Sequence, residues 1–255
     1  MILDVNGYVG TWPYWPTHQS DADSMLRHMD RCGIDRVFIA SLKAAFSDVE
    51  GGNAEMLALV RKHPARFSPA FTYSPYAAHP EGTRERYREE LPAERPCLVK
   101  LFPVSQAYEP TEEPFIAELM EFCGQNRIPV LVPHRLMMSW RLPRYDVQRI
   151  GALAVRHPNT AFILGAINYV LELQSALDVM RRNPNVYIET SAMMALREVE
   201  QVAGIIGAER MLHGSAIPLQ NPAIGPLKIR TADLSDADKE RIFFRNAVDR
   251  LGLGA

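Results

Sequence analysis

Short apolar runs alternate along the chain with longer stretches in which apolar residues recur every three or four positions. The runs at 2–9, 36–41, 67–73, 97–102, 130–134, 161–166, 186–190 and 211–215 have the length and near-continuous apolar character of strands buried on both faces. Helical spacing fills the intervals at 22–32, 53–62, 84–90, 114–126, 145–156, 171–182 and 196–207, and a last helix is predicted over 235–251. Local punctuation agrees. Glu113-Pro114 starts a helix with proline in its first turn, and Ser235 followed by Asp236 and Asp238 reads as an N-cap with acids behind it. His63-Pro64, His157-Pro158 and Asn183-Pro184 stop helices ahead of the next strand. Strictly alternating strands and helices of this number, in 255 residues, predict one α/β domain, a (β/α)8 barrel. A doubly wound open sheet is the alternative, but no glycine-rich phosphate loop follows the first strand. Residues 135–144, which include Trp140, and 217–230 are predicted as longer loops.

Composition narrows the partners. The net charge is −2, which gives no electrostatic case for nucleic acid or an anionic membrane. No apolar stretch reaches the roughly 18 residues of a membrane helix. The chain enters its first strand with no basic segment ahead of it, so a cytoplasmic protein without a signal peptide is expected. Cys32, Cys97 and Cys123 lie far apart with no C-x-x-C pair, as reduced thiols do.

Candidate chemistry gathers at the predicted C-terminal strand ends, where barrels of this kind place it. The opening stretch I-L-D-V-N-G-Y-V-G-T-W puts Asn6, Gly7 and Tyr8 at the end of the first strand and Trp12 in the turn beyond. Tyr8 reads either as a pocket hydrogen-bonder and weak acid or as a space-filling ring. Lys100 stands in V-K-L-F between neighbours that face the other way, so it points into the barrel and needs a partner, for which Glu189 is the candidate. His134 and Arg135 end the fifth strand, as a pocket pair or as a surface loop pair, and Arg141 follows in the loop. His213 reads equally as a pocket base or as a satisfied core histidine. The catalytic candidates are His134, His213 and Tyr8; the candidate ligand contacts are Asn6, Trp12, Lys100, Arg135, Arg141 and Glu189. Trp12, Trp15 and Trp140 line a ligand site, hold a dimer or simply pack.

The whole chain resembles the amidohydrolase-related family. The segments N-A-E-M-L-A-L-V-R-K-H-P-A-R-F (53–67), C-L-V-K-L-F-P (97–103), N-R-I-P-V-L-V-P-H (126–134), H-P-N-T-A-F-I-L-G-A (157–166), N-V-Y-I-E-T-S-A (185–192), G-A-E-R-M-L-H-G-S-A-I-P (207–218) and R-N-A-V-D-R-L (245–251) are similar to its strands and helices, in order. The resemblance implies a (β/α)8 barrel, metal-dependent hydrolysis or decarboxylation, small carboxylated substrates and often dimers. The ligand positions that it implies are changed. Asn6 and Tyr8 stand where the family has a His-x-His pair, Pro133 stands at its strand-five histidine with His134 one residue on, Ala166 replaces its strand-six histidine, and Gly214-Ser215-Ala216 replaces Gly-Ser-Asp. A catalytic zinc takes about three protein ligands. It lowers the pKa of bound water from about 15.7 to about 7, roughly 12 kcal/mol of activation. These residues predict no metal at the family position. A divalent ion such as zinc held by His18, His134 and His213 is the alternative. The expectation is a barrel with a degenerate metal site that binds a small, anionic, carboxylate-type compound and forms a homodimer. A non-catalytic ligand-binding or partner-subunit relative of an active hydrolase is the other reading.

Overall fold

The strands are β1 (Leu3–Val9), β2 (Arg36–Ser41), β3 (Phe67–Tyr73), β4 (Leu98–Leu101), β5 (Val130–Pro133), β6 (Phe162–Gly165), β7 (Val186–Glu189) and β8 (Met211–Leu212). They form one parallel sheet in sequence order. The sheet closes on itself: the Val5 N–H donates to the His213 carbonyl at 3.0 Å, and the Tyr8 N–H to the Ile217 carbonyl at 2.7 Å. Helices α1 (Ala22–Cys32), α2 (Leu42–Phe46), α3 (Val49–Lys62), α4 (Pro114–Asn126), α5 (Val147–Arg156), α6 (Glu172–Arg182), α7 (Glu198–Ile206), α8 (Ile224–Thr231) and α9 (Asp236–Glu240) lie between and after them. The last runs on into wider turns over Arg241–Arg250. The predicted (β/α)8 barrel is therefore the observed fold. This computed structural model describes residues 1–14, 16–17, 21–76, 97–136, 143–168 and 172–253. The helix predicted over 84–90 lies outside the described residues, as do Trp15, His18, Trp140 and Arg141.

The two faces of each strand build two cores. Leu3, Phe38, Ala70, Leu98, Leu131, Ile163 and Leu212 fill the barrel interior, while their neighbours Val37, Val99, Val130, Phe162 and Met211 pack outward on the helices. One irregularity matters for the site. Between Asp4 and Gly7 the register of β1 against β2 shifts, as a β-bulge does. Leu3 and Val5 face inward, so strict alternation would send Asn6 and Tyr8 outward. After the bulge both face the axis instead, and Gly7 takes the outer side against Val37 and Ile39.

Three sequence readings change. A short helix, α2, follows β2 directly, started by the Ser41 side chain, which accepts from the Ala44 N–H at 3.3 Å. Helix α3 begins at Val49, capped by Asp48, rather than at residue 53. The stretch 217–230 is not all loop, because it holds most of α8; Pro226 is tolerated there because it sits in the first turn, where an N–H has no helical partner. No described helix is long and apolar enough to cross a membrane.

Candidate functional site

The barrel axis carries a buried polar network where β1, β4, β7 and β8 end. Lys100, on β4, donates from Nζ to Asn6 Oδ1 at 3.0 Å and to the Gly7 carbonyl at 2.9 Å. Asn6 donates in turn from Nδ2 to Glu189 Oε1 at 3.2 Å. Lys100 and Glu189 are thus joined through the Asn6 amide rather than as a direct ion pair. The Glu189 carboxylate also accepts from the Ser191 N–H at 2.6 Å, the Ser191 hydroxyl at 2.7 Å and the Ala166 N–H. Gly214 makes room for it, since a Cβ there would stand 2.0 Å from Glu189 Oε2. Beside this set, Asp4 accepts from the Asn6 N–H at 2.9 Å, the Ser215 N–H at 3.1 Å and the Ser215 hydroxyl.

All these groups are dry, and burial dominates their acidity. It pushes Lys100 down to about 7, against the pull of Asp4 and Glu189 in the other direction. Burial also raises Asp4 and Glu189 above the usual carboxylate range, although their hydrogen bonds work downward. Tyr8 roofs the network: Lys100 Nζ sits 4.3 Å from the centre of its ring, and the phenol is pushed up by burial and by Glu189.

Above Tyr8 lies the mouth cavity. Phe102, whose ring centroid is 6.4 Å from that of Tyr8, lines it. One wall is aromatic. Phe46 meets Trp12 at 5.5 Å and Tyr14 at 5.8 Å, both nearly edge-on. The opposite wall carries His134 and Arg135, just past β5. Arg135 donates to Glu172 Oε1 at 2.5 Å and Arg144 to the same oxygen at 2.8 Å. Burial raises the Glu172 carboxyl, but Arg144, Arg135 and His134 outweigh it and hold the group below its ordinary value. His134 bonds the Tyr145 carbonyl through Nδ1, and burial holds its own pKa down.

The structure therefore divides the sequence candidates. Asn6, Lys100 and Glu189 come together under Tyr8. Trp12, which is 2 % exposed, joins His134 and Arg135 around the cavity above. His213 stands apart from both groups. It packs on the outer side of β8, with its ring 5.9 Å from that of Phe243 and its Cε1 2.6 Å from where a Gly225 Cβ would be. Burial, with Lys228 and Arg230 nearby, pulls it down to about 3, so it is a neutral core histidine. Sequence reasoning missed Asp4, Ser191 and Ser215; the I-L-D-V opening carries the signal, a lone acid inside an apolar strand.

The residues present do not suit a divalent ion on the axis. Asn6 spends its amide on Lys100 and Glu189, and an ammonium already sits among the oxygen donors. Among the described residues no cluster of three histidine, cysteine or acidic side chains converges as metal ligands. His134 and His213 follow different strands and pack on different helices, and His18 lies outside the described residues.

Comparison with known proteins places this geometry. The fold is shared with 5-carboxyvanillate decarboxylase from Sphingomonas paucimobilis, at a TM-score of 0.75, 15% identity and 99% coverage of each chain. A 2,6-dihydroxybenzoate decarboxylase complexed with 2,6-dihydroxybenzoate gives 0.73, 17% and 99% of both chains. A dihydroxybenzoic acid decarboxylase from Polaromonas, with bound manganese and the inhibitor 2-nitroresorcinol, gives 0.73 and 16%, covering 99% of this chain and 97% of that one. No curated protein matches the sequence. The sequence model of the amidohydrolase family matches residues 17–253, nearly the length of the barrel, and the chain belongs to that family.

Proposed function

We propose that this barrel binds a small carboxylate-bearing compound at its mouth and has given up the family's metal chemistry. The observation that carries the reading is the position of Lys100 Nζ, bonded to Asn6 and Gly7 on the axis. A fixed ammonium supplies one positive charge, but it does not turn water into hydroxide near pH 7 as a Lewis-acidic ion does. The mouth cavity supports the ligand class. An aromatic wall of Trp12, Tyr14 and Phe46 suits a planar ring. On the facing wall Arg135 borders the cavity, and a guanidinium there suits a carboxylate. The neighbours seen with 2,6-dihydroxybenzoate and 2-nitroresorcinol carry ligands of the same size.

One observation favours binding over turnover. Asp4, Lys100 and Glu189 are sealed under Tyr8, and none of them borders the cavity. Self-association belongs to the same reading: Met194 and Leu196 beyond β7, and Ile224 and Leu227 on α8, expose apolar side chains on elements tied together by Lys228.

Two measurements test the proposal. Protein purified without added metal carries no stoichiometric zinc, manganese or iron by elemental analysis; a tightly retained ion overturns the metal-free reading. In thermal shift, benzoate-type acids stabilise the protein, by about 2.7 kcal/mol at a hundred times the dissociation constant. Their amides do not, and Arg135→Ala and Trp12→Ala each abolish the shift. Equal stabilisation by neutral analogues would falsify the carboxylate assignment.

A further inference from the structure

A second cavity lies between the start of α5 and the start of α6. His134 and Glu172 both line it, together with Arg144 and Asp146. His134 is locked there as one tautomer. Its Nδ1 faces the Tyr145 carbonyl, which can only accept, so the ring proton sits on Nδ1. The Tyr145 N–H returns a bond to the His134 carbonyl at 2.9 Å and fixes the ring's approach. Nε2 is left with a lone pair. The side chain is 6% exposed, yet among the described residues no donor reaches that nitrogen. Glu172 has the same deficit. Its Oε1 takes both arginines, while its buried Oε2 has no partner among the described residues. Nε2 stands 3.6 Å from Oε1, the arginine-bound oxygen of Glu172, so the unpartnered Oε2 belongs to the neighbouring group. Buried acceptors are almost always paired in folded proteins, which makes the coincidence informative.

The charges around them cancel. Arg135 and Arg144 oppose Glu172 and Asp146. A cation would meet the Arg144 guanidinium, and an anion would meet two lone pairs and the Asp146 carboxylate. The complement is an uncharged group with two adjacent hydrogen-bond donors and oxygens able to accept. We propose that this cavity is a binding site for a vicinal diol, of the kind a polyol or sugar presents. One hydroxyl donates to His134 Nε2 and its neighbour to Glu172 Oε2. Their oxygens accept from Arg144, whose fork is 46% exposed beside the cavity. Burial keeps His134 below its ordinary pKa, so the lone pair persists at neutral pH.

Ligand-observed NMR with the full chain tests this, with meso-erythritol and D-ribose as probes and 1,4-butanediol, whose hydroxyls are not adjacent, as control. Erythritol and ribose bind and shift the His134 ring nitrogen resonances; butanediol does neither. Tighter binding of ribose than of erythritol identifies a sugar site, and the reverse identifies an open-chain polyol site. Glu172→Gln puts a donor where an acceptor stood and weakens binding about tenfold or more. Arg144→Met, at a half-exposed position, weakens it on a background that keeps the Arg135 contact. The proposal fails if no polyol shifts the His134 resonance in the unmodified protein. It also fails if butanediol binds equally well, or if crystals soaked in erythritol show only an ordered water between Nε2 and Oε2.

Discussion

Lys100 holds the axis together because it is dry and bonded at the same time, with a pKa that burial brings down to about 7. Lys100→Met leaves Asn6 Oδ1 and the Gly7 carbonyl without their donor and Glu189 without its balancing charge. Removing one member of a buried charged set costs roughly 3–5 kcal/mol. Urea denaturation should show that loss, and the pair Lys100→Met with Glu189→Gln should lose less than the sum of its parts. Additive losses would mean that the Asn6 relay carries no coupling. His213 makes a second prediction. Its pKa is about 3 in the fold, against about 6.5 in an unfolded chain. The unfolded state therefore takes up a proton first as the pH drops. Stability is full above pH 6.5 and falls through the window down to about pH 3, by up to about 1.4 kcal/mol per unit from this group. His213→Leu should flatten the slope of unfolding free energy against pH in that window; an unchanged slope counts against a neutral buried imidazole. At this scale the sequence was legible in part. The inward Lys100 followed from alternation in V-K-L-F, because β4 is regular. That Asn6 and Tyr8 face the axis depends on a bulge that no residue pattern announces.

Elements were easier to read than side chains, because burial on two faces imposes long, repeated patterns. Seven described helices and every described strand lie where periodicity put them, although α3 starts four residues early and β8 ends three residues early. What escaped was short. Helix α2 is a single turn and a half with too few residues to show a period, and α8 hides behind Pro226 and a turn-like lead-in. At the junction of α2 with α3, backbone packs on backbone. A Cβ on Gly52 would stand 2.4 Å from the Ala44 backbone nitrogen and 2.7 Å from its Cβ. Backbone cannot swing aside as a side chain can, so Gly52→Ala should destabilise the fold by about 1–3 kcal/mol, despite alanine's better helix propensity. Thermal unfolding measures it; a stabilised variant would show that the two helices can part.

The whole barrel depends on one seam, since only the β8–β1 junction joins the two ends of the chain's sheet. Asp4 pins it by accepting from the backbone and side chain of Ser215. Asp4→Ala should let the seam open ahead of the rest. Hydrogen exchange at the Val5 and Tyr8 amides, which donate across it, should quicken by at least about tenfold, or about 1.4 kcal/mol of local opening. Amides in β4 and β5 should keep their protection. If all of them speed up together, closure is cooperative with the entire fold. The network beside the seam also makes the axis resistant to piecemeal change. A histidine set at position 6 removes the acceptor that holds the ammonium and the donor that holds the carboxylate in one step. Each single replacement toward a histidine-lined axis is then less stable than either end point. Positions 6, 100 and 189 must move in concert, and a selection that samples one substitution at a time stays where it is.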